Sequence, residues 1–291
     1  MTLTLLQYNT HLFLDSLAGD LDSKLLYEDE TRLTEIVDRL RSSGADLVCL
    51  EEIWADKTKR HFTGQLGAEY PFFQNDGIDD PFAVGSGLLV LSKFPLRDTS
   101  FTRFRKLAGY DALSQEGFLQ AQVTLPAGAE FQLITTHTQS GEDSADRSAR
   151  ASNLEQIRNA IASLPSAMPA VVAGDLNVIA EDADGQPTAE YAQLQDGFRT
   201  LALTDSFRVL HPDPHCDPGV TFDVVDNPLA IHFNLEDCGQ RQRLDYLFAR
   251  SGDRALAPTS AEVVHDYRFI DPRTGQPNDL SDHYPLRGSW S

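Results

Sequence analysis

Pro169-Ala-Val-Val-Ala-Gly-Asp-Leu-Asn-Val178 is the stretch from which the rest of this chain is read. Residues 170–173 are an apolar run with two valines, long enough for a buried strand and too short for a helix. Gly174 ends the run, and Asp175 and Asn177 follow it. Along an extended chain, residues two apart point to the same side, so a carboxylate and a carboxamide face one point at the end of a buried strand. That pairing suits phosphate chemistry. The carboxylate orients or deprotonates a water, or helps hold a divalent cation, and the amide donates to a phosphoryl oxygen. A strand running into an Asp-Asn turn accounts for the same residues. The stretch therefore takes its meaning from its companions.

The companions recur at strand ends. An alternating strand from Thr2 to Tyr8 delivers Asn9, Thr10 and His11. Leu33, Ile36, Val37 and Leu40 share a helical face within residues 29–43, and Gly44 stops that helix. A buried strand over 46–50 leads to Glu51, Glu52 and Trp54, and a polar helix is expected over 56–66. Residues 87–92 read as an apolar strand, and 117–125 with 130–136 as a hairpin ending in His137. Leu154, Ile157 and Ile161 mark a helix over 144–164. A second hairpin is expected over 220–233, around Asp226-Asn-Pro228. Residues 243–248 form a strand carrying Asp245, a carboxylate in otherwise apolar surroundings that needs a partner. Asp282 and His283 precede a last strand ending near Trp290, although neighbours on a strand face opposite ways. Many strands, hairpins and about four helices give an α/β (α+β) chain of layered sheets flanked by helices. No internal repeat or low-complexity linker divides residues 1–291, so one domain is expected.

Composition narrows the function. Lys and Arg number 24 against 44 Asp and Glu, a net charge of −20. Such a surface disfavours non-specific adhesion to nucleic acid or anionic lipid, and Arg103, Arg105 and Lys106 are a tight basic cluster within it. A local cation can still bring an anionic substrate to one site. Oxygen ligands from Asn9, Glu52 and Asp282 suit Mg²⁺, with Mn²⁺ or Co²⁺ as substitutes. HExxH, CxxC and GxxxxGK[ST] are all absent from the sequence, which leaves zinc peptidase and P-loop chemistry unsupported. Three cysteines, an odd count, point to a reducing compartment, and the N-terminus lacks the features of a signal peptide. Cytoplasmic residence is the expectation, and a secreted protein whose leader has been trimmed would read the same way. Cys216 and Cys238 flank the expected second hairpin, close enough in sequence for a disulfide across its base. Trp54, Phe72, Phe73 and Phe82 are candidates for a choline or lipid pocket, or for ordinary core packing.

Taken in order, Gln7-Tyr-Asn-Thr10, Leu50-Glu-Glu52, Thr136-His-Thr-Gln139, Gly174-Asp-Leu-Asn-Val178, Leu244-Asp-Tyr-Leu-Phe248 and Ser281-Asp-His-Tyr-Pro285 resemble the endonuclease/exonuclease/phosphatase superfamily. The resemblance implies the DNase I-like four-layer sandwich. Asp111-Ala-Leu-Ser-Gln-Glu-Gly-Phe118, Arg150, Thr221-Phe-Asp223 and Asn227 are similar to segments of the neutral sphingomyelinases. Glu51 stands where that family has Gln or Asn, and Glu116 where it has Lys. The resemblance implies a metal-dependent phosphodiester hydrolase, with Asn9, Glu52 and Asp282 at the metal and His283 as general base oriented by Asp245. It gives Asp175 a part in water activation or a second metal site, and Asn177 and His137 contacts to phosphoryl oxygens. The implied partner is a phospholipid or other phosphodiester, met by a monomer in transient contact with a membrane surface, without a stable nucleic-acid partner. A nuclease and a phosphatase of inositol phosphates or nucleotides are the alternatives within the same fold.

Overall fold

The computed structural model describes residues 2–13, 27–78, 85–235 and 239–291. Its centre is a pair of six-stranded sheets. The first is built from β1 (Leu3–Leu12), β2 (Leu47–Ile53), β3 (Phe72–Asn75), β4 (Leu89–Ser92), β13 (Pro258–Val263) and β16 (Leu286–Trp290), in the order β13-β16-β1-β2-β4-β3. The second holds β5 (Leu96–Arg103), β6 (Gly117–Thr124), β7 (Glu130–His137), β8 (Ala170–Asp175), β9 (Thr204–Asp205) and β12 (Asp245–Arg250), in the order β5-β6-β7-β8-β12-β9. Two short ribbons, β10 (Phe222–Asp223) with β11 (Arg241–Gln242) and β14 (Arg268–Ile270) with β15 (Pro277–Asp279), cap the sandwich.

Each sheet contains one parallel pair, β1 with β2 and β7 with β8, while the other named pairings are antiparallel. The parallel pairs follow from their connections, since a parallel return needs a crossover helix. Helix α1 (Asp29–Ser42) joins the first and α3 (Ser144–Ala162) the second. Acidic Asp29 and Glu30 open α1, and basic Arg39 and Arg41 close it, each complementing the helix dipole. Asp143 and Asp146 form a capping box at the start of α3.

Side-chain alternation sorts the strands into layers. Leu3 and Leu5 of β1, Leu47 and Cys49 of β2, Leu133 of β7, Val171 and Ala173 of β8, and Leu247 and Ala249 of β12 meet between the sheets. Leu6, Tyr8, Val48 and Leu50 point the other way, against α1 and α2 (Asp56–Leu66). Val172, Tyr246 and Phe248 pack on α3 and α4 (Ala189–Arg199). The result is helix, sheet, sheet and helix in four layers, as the resemblance implies.

Residues 220–233 depart from the expected hairpin. Phe222 and Asp223 are a short strand, but residues 228–233 are helix α6 (Pro228–Phe233). Asn227 caps that helix, its side-chain oxygen accepting from Leu229 N and Ala230 N, with Pro228 in the first turn. The strand expected over 243–248 runs from Asp245 to Arg250, so its carboxylate stands at the strand's first residue. Phe72 and Phe73 lie on the edge strand β3, paired with Ser92 and Leu91, away from the end of β2 that carries Glu51. They do not line the site. Phe82 and Cys238 lie outside the described residues. Cys216 is a free, exposed thiol that donates to Asp213. Among the described residues, no helix is long and apolar enough to cross a membrane.

Candidate active site

The layer between the sheets changes character at one end. Inward positions of β1 run Leu3, Leu5, Gln7, Asn9, those of β2 run Leu47, Cys49, Glu51, and those of β8 run Val171, Ala173, Asp175. On β7 they pass through Leu133 and Thr135 to His137, and on β12, which runs the other way, Asp245 precedes Leu247 and Ala249. The period of two that builds the apolar layer thus also delivers the polar residues to one place. His137, Asp175 and Asp245 are register partners in a single row across β7, β8 and β12.

Asp175 is the hub of this row. Its Oδ2 accepts from Asn9 Nδ2 at 3.2 Å and lies 3.6 Å from both His137 Nε2 and His283 Nε2. Its Oδ1 accepts from the backbone N–H of Asn177 at 2.8 Å. Asn177 has φ +49, and its side-chain amide donates to Thr138 O at 2.9 Å, so it anchors the turn as well as bordering the site. Gly174 lets the strand turn here: a Cβ on it would sit 1.9 Å from Thr136 O.

His283 reaches the row through its other nitrogen. Nδ1 lies 2.9 Å from Asp245 Oδ2, and a carboxylate offers only acceptors, so that nitrogen carries the proton and Nε2 faces Asp175. Asp282 points elsewhere, to His11 Nδ1 at 3.2 Å, and the same nitrogen is 3.5 Å from Glu52 Oε2. Adjacent residues therefore serve two halves of one site. Asn9 Nδ2 also donates to Glu52 Oε1 at 2.9 Å. Glu52, at φ +57, turns out of the strand register that keeps Glu51 buried. The fully buried Arg32 secures this corner, donating to the carbonyls of Thr10, His11 and Leu280. Arg150, similarly buried, pairs with Glu190 and holds the carbonyls of Gln139 and Gly141, so it shapes the loop after His137.

Charge in this enclosure is strongly biased. Burial disfavours the imidazolium of His283, yet the Asp245 and Asp175 carboxylates outweigh it and hold its pKa well above the usual histidine value. His137 is raised in the same way, with Asp175 and Glu116 outweighing its burial. Burial, then Asp245, push the Asp175 carboxyl up, and burial with the nearby aspartates pushes Glu51 well up. Against its own burial, His11 holds the Asp282 carboxyl below the usual range.

Two groupings fit a cation differently. Glu52 and Asp282 converge on His11 Nδ1 with carboxylate oxygens, the donor type that hard divalent ions prefer, while Asn9 turns its Nδ2 to Glu52 and its Oδ1 to the His11 backbone N–H. Asp175, Asp245 and His283 also offer ligand atoms within 4.8 Å of one another, but two of them already bond each other. Gln7, Glu51 and His11 are site residues that the sequence reading gave no role. The signal for Gln7 was its place in the inward series of β1.

The profile of the Endonuclease/Exonuclease/phosphatase family matches residues 6–283. The chain belongs to that family. Among curated relatives of this family member, a phospholipase C of Staphylococcus aureus is 28% identical over 219 residues, covering 70% of this chain and 60% of the relative. The chain thus spans about 60% of that relative's length. A sphingomyelinase C of Bacillus cereus is 26% identical over 278 residues, covering 84% of this chain and 78% of the relative. The crystal structure of sphingomyelinase C from Streptomyces griseocarneus matches with a TM-score of 0.77 at 23% identity, over 100% of each chain. A beta toxin mutant from Staphylococcus aureus with bound magnesium ions matches at 0.75 and 22% identity, again over 100% of each chain. These likenesses establish the DNase I-like four-layer sandwich for this family member.

Proposed function

We propose that this chain is a divalent-metal-dependent phosphodiester hydrolase of the sphingomyelinase type, releasing a phosphorylated headgroup from a phospholipid. The observation that carries this reading is the convergence on Asp175 Oδ2 of Asn9 Nδ2, His137 Nε2 and His283 Nε2, with Asp245 behind His283. Relatives named sphingomyelinase C and phospholipase C support the substrate class.

In this reading His283 Nε2 takes the proton of the attacking water, and Asp245 keeps the ring in the tautomer that can do so. Asp175 orients the same water. His137 and the second N–H of the Asn177 amide donate to phosphoryl oxygens as charge builds on them. Glu52, Asn9 and Asp282 would hold the cation. A divalent ion there supplies positive charge that polarises a phosphoryl oxygen and disfavours the imidazolium forms of the two histidines. The bond broken joins phosphorus to the lipid-side oxygen, which leaves as an alcohol on taking a proton from water, and His283 gives its proton back to solvent.

Action as a monomer at a membrane surface belongs to the same proposal. Tyr110 and Leu113 support it, being 91% and 68% exposed on the short 3-10 helix Gly109–Leu113, whose Asp111 accepts from Gln139 and Ser140 beside His137. Residence in a reducing compartment is supported by the free thiols of Cys49 and Cys216. The net charge of −20 weighs against the nuclease alternative. The test is a panel of sphingomyelin, lysophospholipids, plasmid DNA and inositol phosphates, each with Mg²⁺. Release of phosphocholine or a similar headgroup is expected. Degradation of DNA at physiological salt with every choline and ethanolamine phospholipid ignored would replace this reading with the nuclease.

A further inference from the structure

Two carboxamides on the inward face of β1 make the same kind of connection one step apart. Asn9 Nδ2 bridges Glu52 of its own sheet to Asp175 of the opposite sheet, at 2.9 and 3.2 Å. Gln7 Nε2 bridges Glu51 of its own sheet to Asp245 of the opposite sheet, at 2.9 and 2.6 Å. Gln7, Glu51 and Asp245 are completely buried, while His283 keeps a little exposure. Both oxygens of Asp245 are then engaged: Oδ1 by Gln7 and Oδ2 by His283 Nδ1. Turning the carboxylate plane would break both bonds together.

We propose that Gln7 is a positioning residue for the hydrolysis, fixing the plane of Asp245 so that Oδ2 presents itself to His283. This rests on the reading of His283 as the base. A carboxamide suits the task where a cation would not. It donates two N–H groups to two carboxyls without neutralising Asp245, whose negative charge attracts the imidazole proton. The flipped amide would set its oxygen against the Asp245 carboxylate, so the orientation is determined by that partner. Spanning the two sheets, Gln7 also ties the base's support to the strand that carries Asn9.

Gln7→Met keeps the length of the side chain and removes both donors. With Mg²⁺ and bis(para-nitrophenyl) phosphate, kcat is expected to fall about 10- to 100-fold while KM stays within about twofold, the mark of misplacement rather than lost binding. In an Asp245→Asn background the same change should cost less than about twofold more. Independently of turnover, the downfield proton on His283 Nδ1, assigned by its absence in His283→Asn, should be present in the wild-type full chain and lost or broadened in Gln7→Met. If Gln7→Met does not fold, Gln7→Asn, too short to reach both carboxyls, takes its place in each measurement. An unchanged kcat, an equal loss in the Asp245→Asn background, or a retained Nδ1 proton would overturn the proposal. If the wild type hydrolyses no phosphodiester, the functional reading fails, and the Nδ1 proton still decides whether Gln7 positions the pair.

Discussion

Asp245 in β12 is the register partner of Asp175 in β8, and each takes a carboxamide from β1 and faces His283. Two carboxylates on adjacent antiparallel strands would repel each other in a buried layer. The amides of Gln7 and Asn9 and the imidazole of His283 offset that repulsion.

In the proposed mechanism Asp245 acts through His283, so Asp245→Asn and His283→Asn should each lower kcat by about 10²- to 10⁴-fold. The double variant should be little worse than His283→Asn alone, as for groups acting as one unit. A double-mutant cycle on a soluble phosphodiester measures this. Losses that multiply would show that the two residues act separately.

Glu52→Gln keeps the size of the side chain and removes its charge. Mg²⁺ affinity by calorimetry, and activity at limiting Mg²⁺, should fall by about tenfold or more, since even supporting residues of metal sites cost that much. EDTA should abolish wild-type activity, and Mn²⁺ or Co²⁺ should restore it. The melting temperature in EDTA should change little. Full activity in chelator would remove Glu52 from the metal.

Burial pushes the Glu116 carboxyl from 4.5 up to about 8. The folded chain therefore binds more protons than the unfolded chain between these values. Its contribution to stability is complete below about pH 4.5 and is lost as pH rises through about 8, a few kcal/mol in all. Urea titrations in EDTA at pH 5, 7 and 9 should show Glu116→Gln with a flatter dependence and a gain over wild type at pH 9. Parallel curves would refute the assignment.

Glu116 is among the carboxyls that raise the His137 pKa, and a lysine in its place would put a cation near His137 instead. Glu116→Lys should change the relative rates among sphingomyelin, lysophosphatidylcholine and ethanolamine lipids while the Mg²⁺ dependence stays as it was. Rates that scale together across the panel would separate Glu116 from specificity.

Gly174 stands at φ +152, with no room for a Cβ beside Thr136 O. Gly174→Ala should destabilise the fold by about 1–3 kcal/mol or more. It should also reduce kcat, since the strain falls between Asp175 and the strand carrying His137. Thermal unfolding and turnover read the two effects, and wild-type values in both would show that the strand relaxes without moving the site.

The layers were legible in the order of residues along the chain, and so were most of the residues that meet at the candidate site. The apolar runs 47–50 and 170–173 and the alternation of 2–8 mark buried strands, and the polar residues that follow each one mark where the buried layer meets chemistry. Asn9, Glu52, His137, Asp175 and His283 stand out as polar residues at strand ends, and α1, α2 and α3 are expected as helices. Helix α4 carried Tyr191, Leu194 and Phe198 at helical spacing, and the cap and proline of α6 were equally present at Asn227 and Pro228. Asn227 and Pro228 read in the sequence as the turn of a hairpin, and residues 189–199 are given no element there.

Partnership was decided only by the tertiary structure. Asp282 and His283 are neighbours in the chain, yet one binds His11 and the other Asp245, because adjacent side chains on an extended backbone point apart. Gln7 reaches Asp245 across 238 positions of sequence, and Asn9 reaches Asp175 across 166. No local propensity encodes such pairs. They exist because two sheets pack face to face, and a buried carboxylate at their edge must take whatever donor the opposite sheet presents.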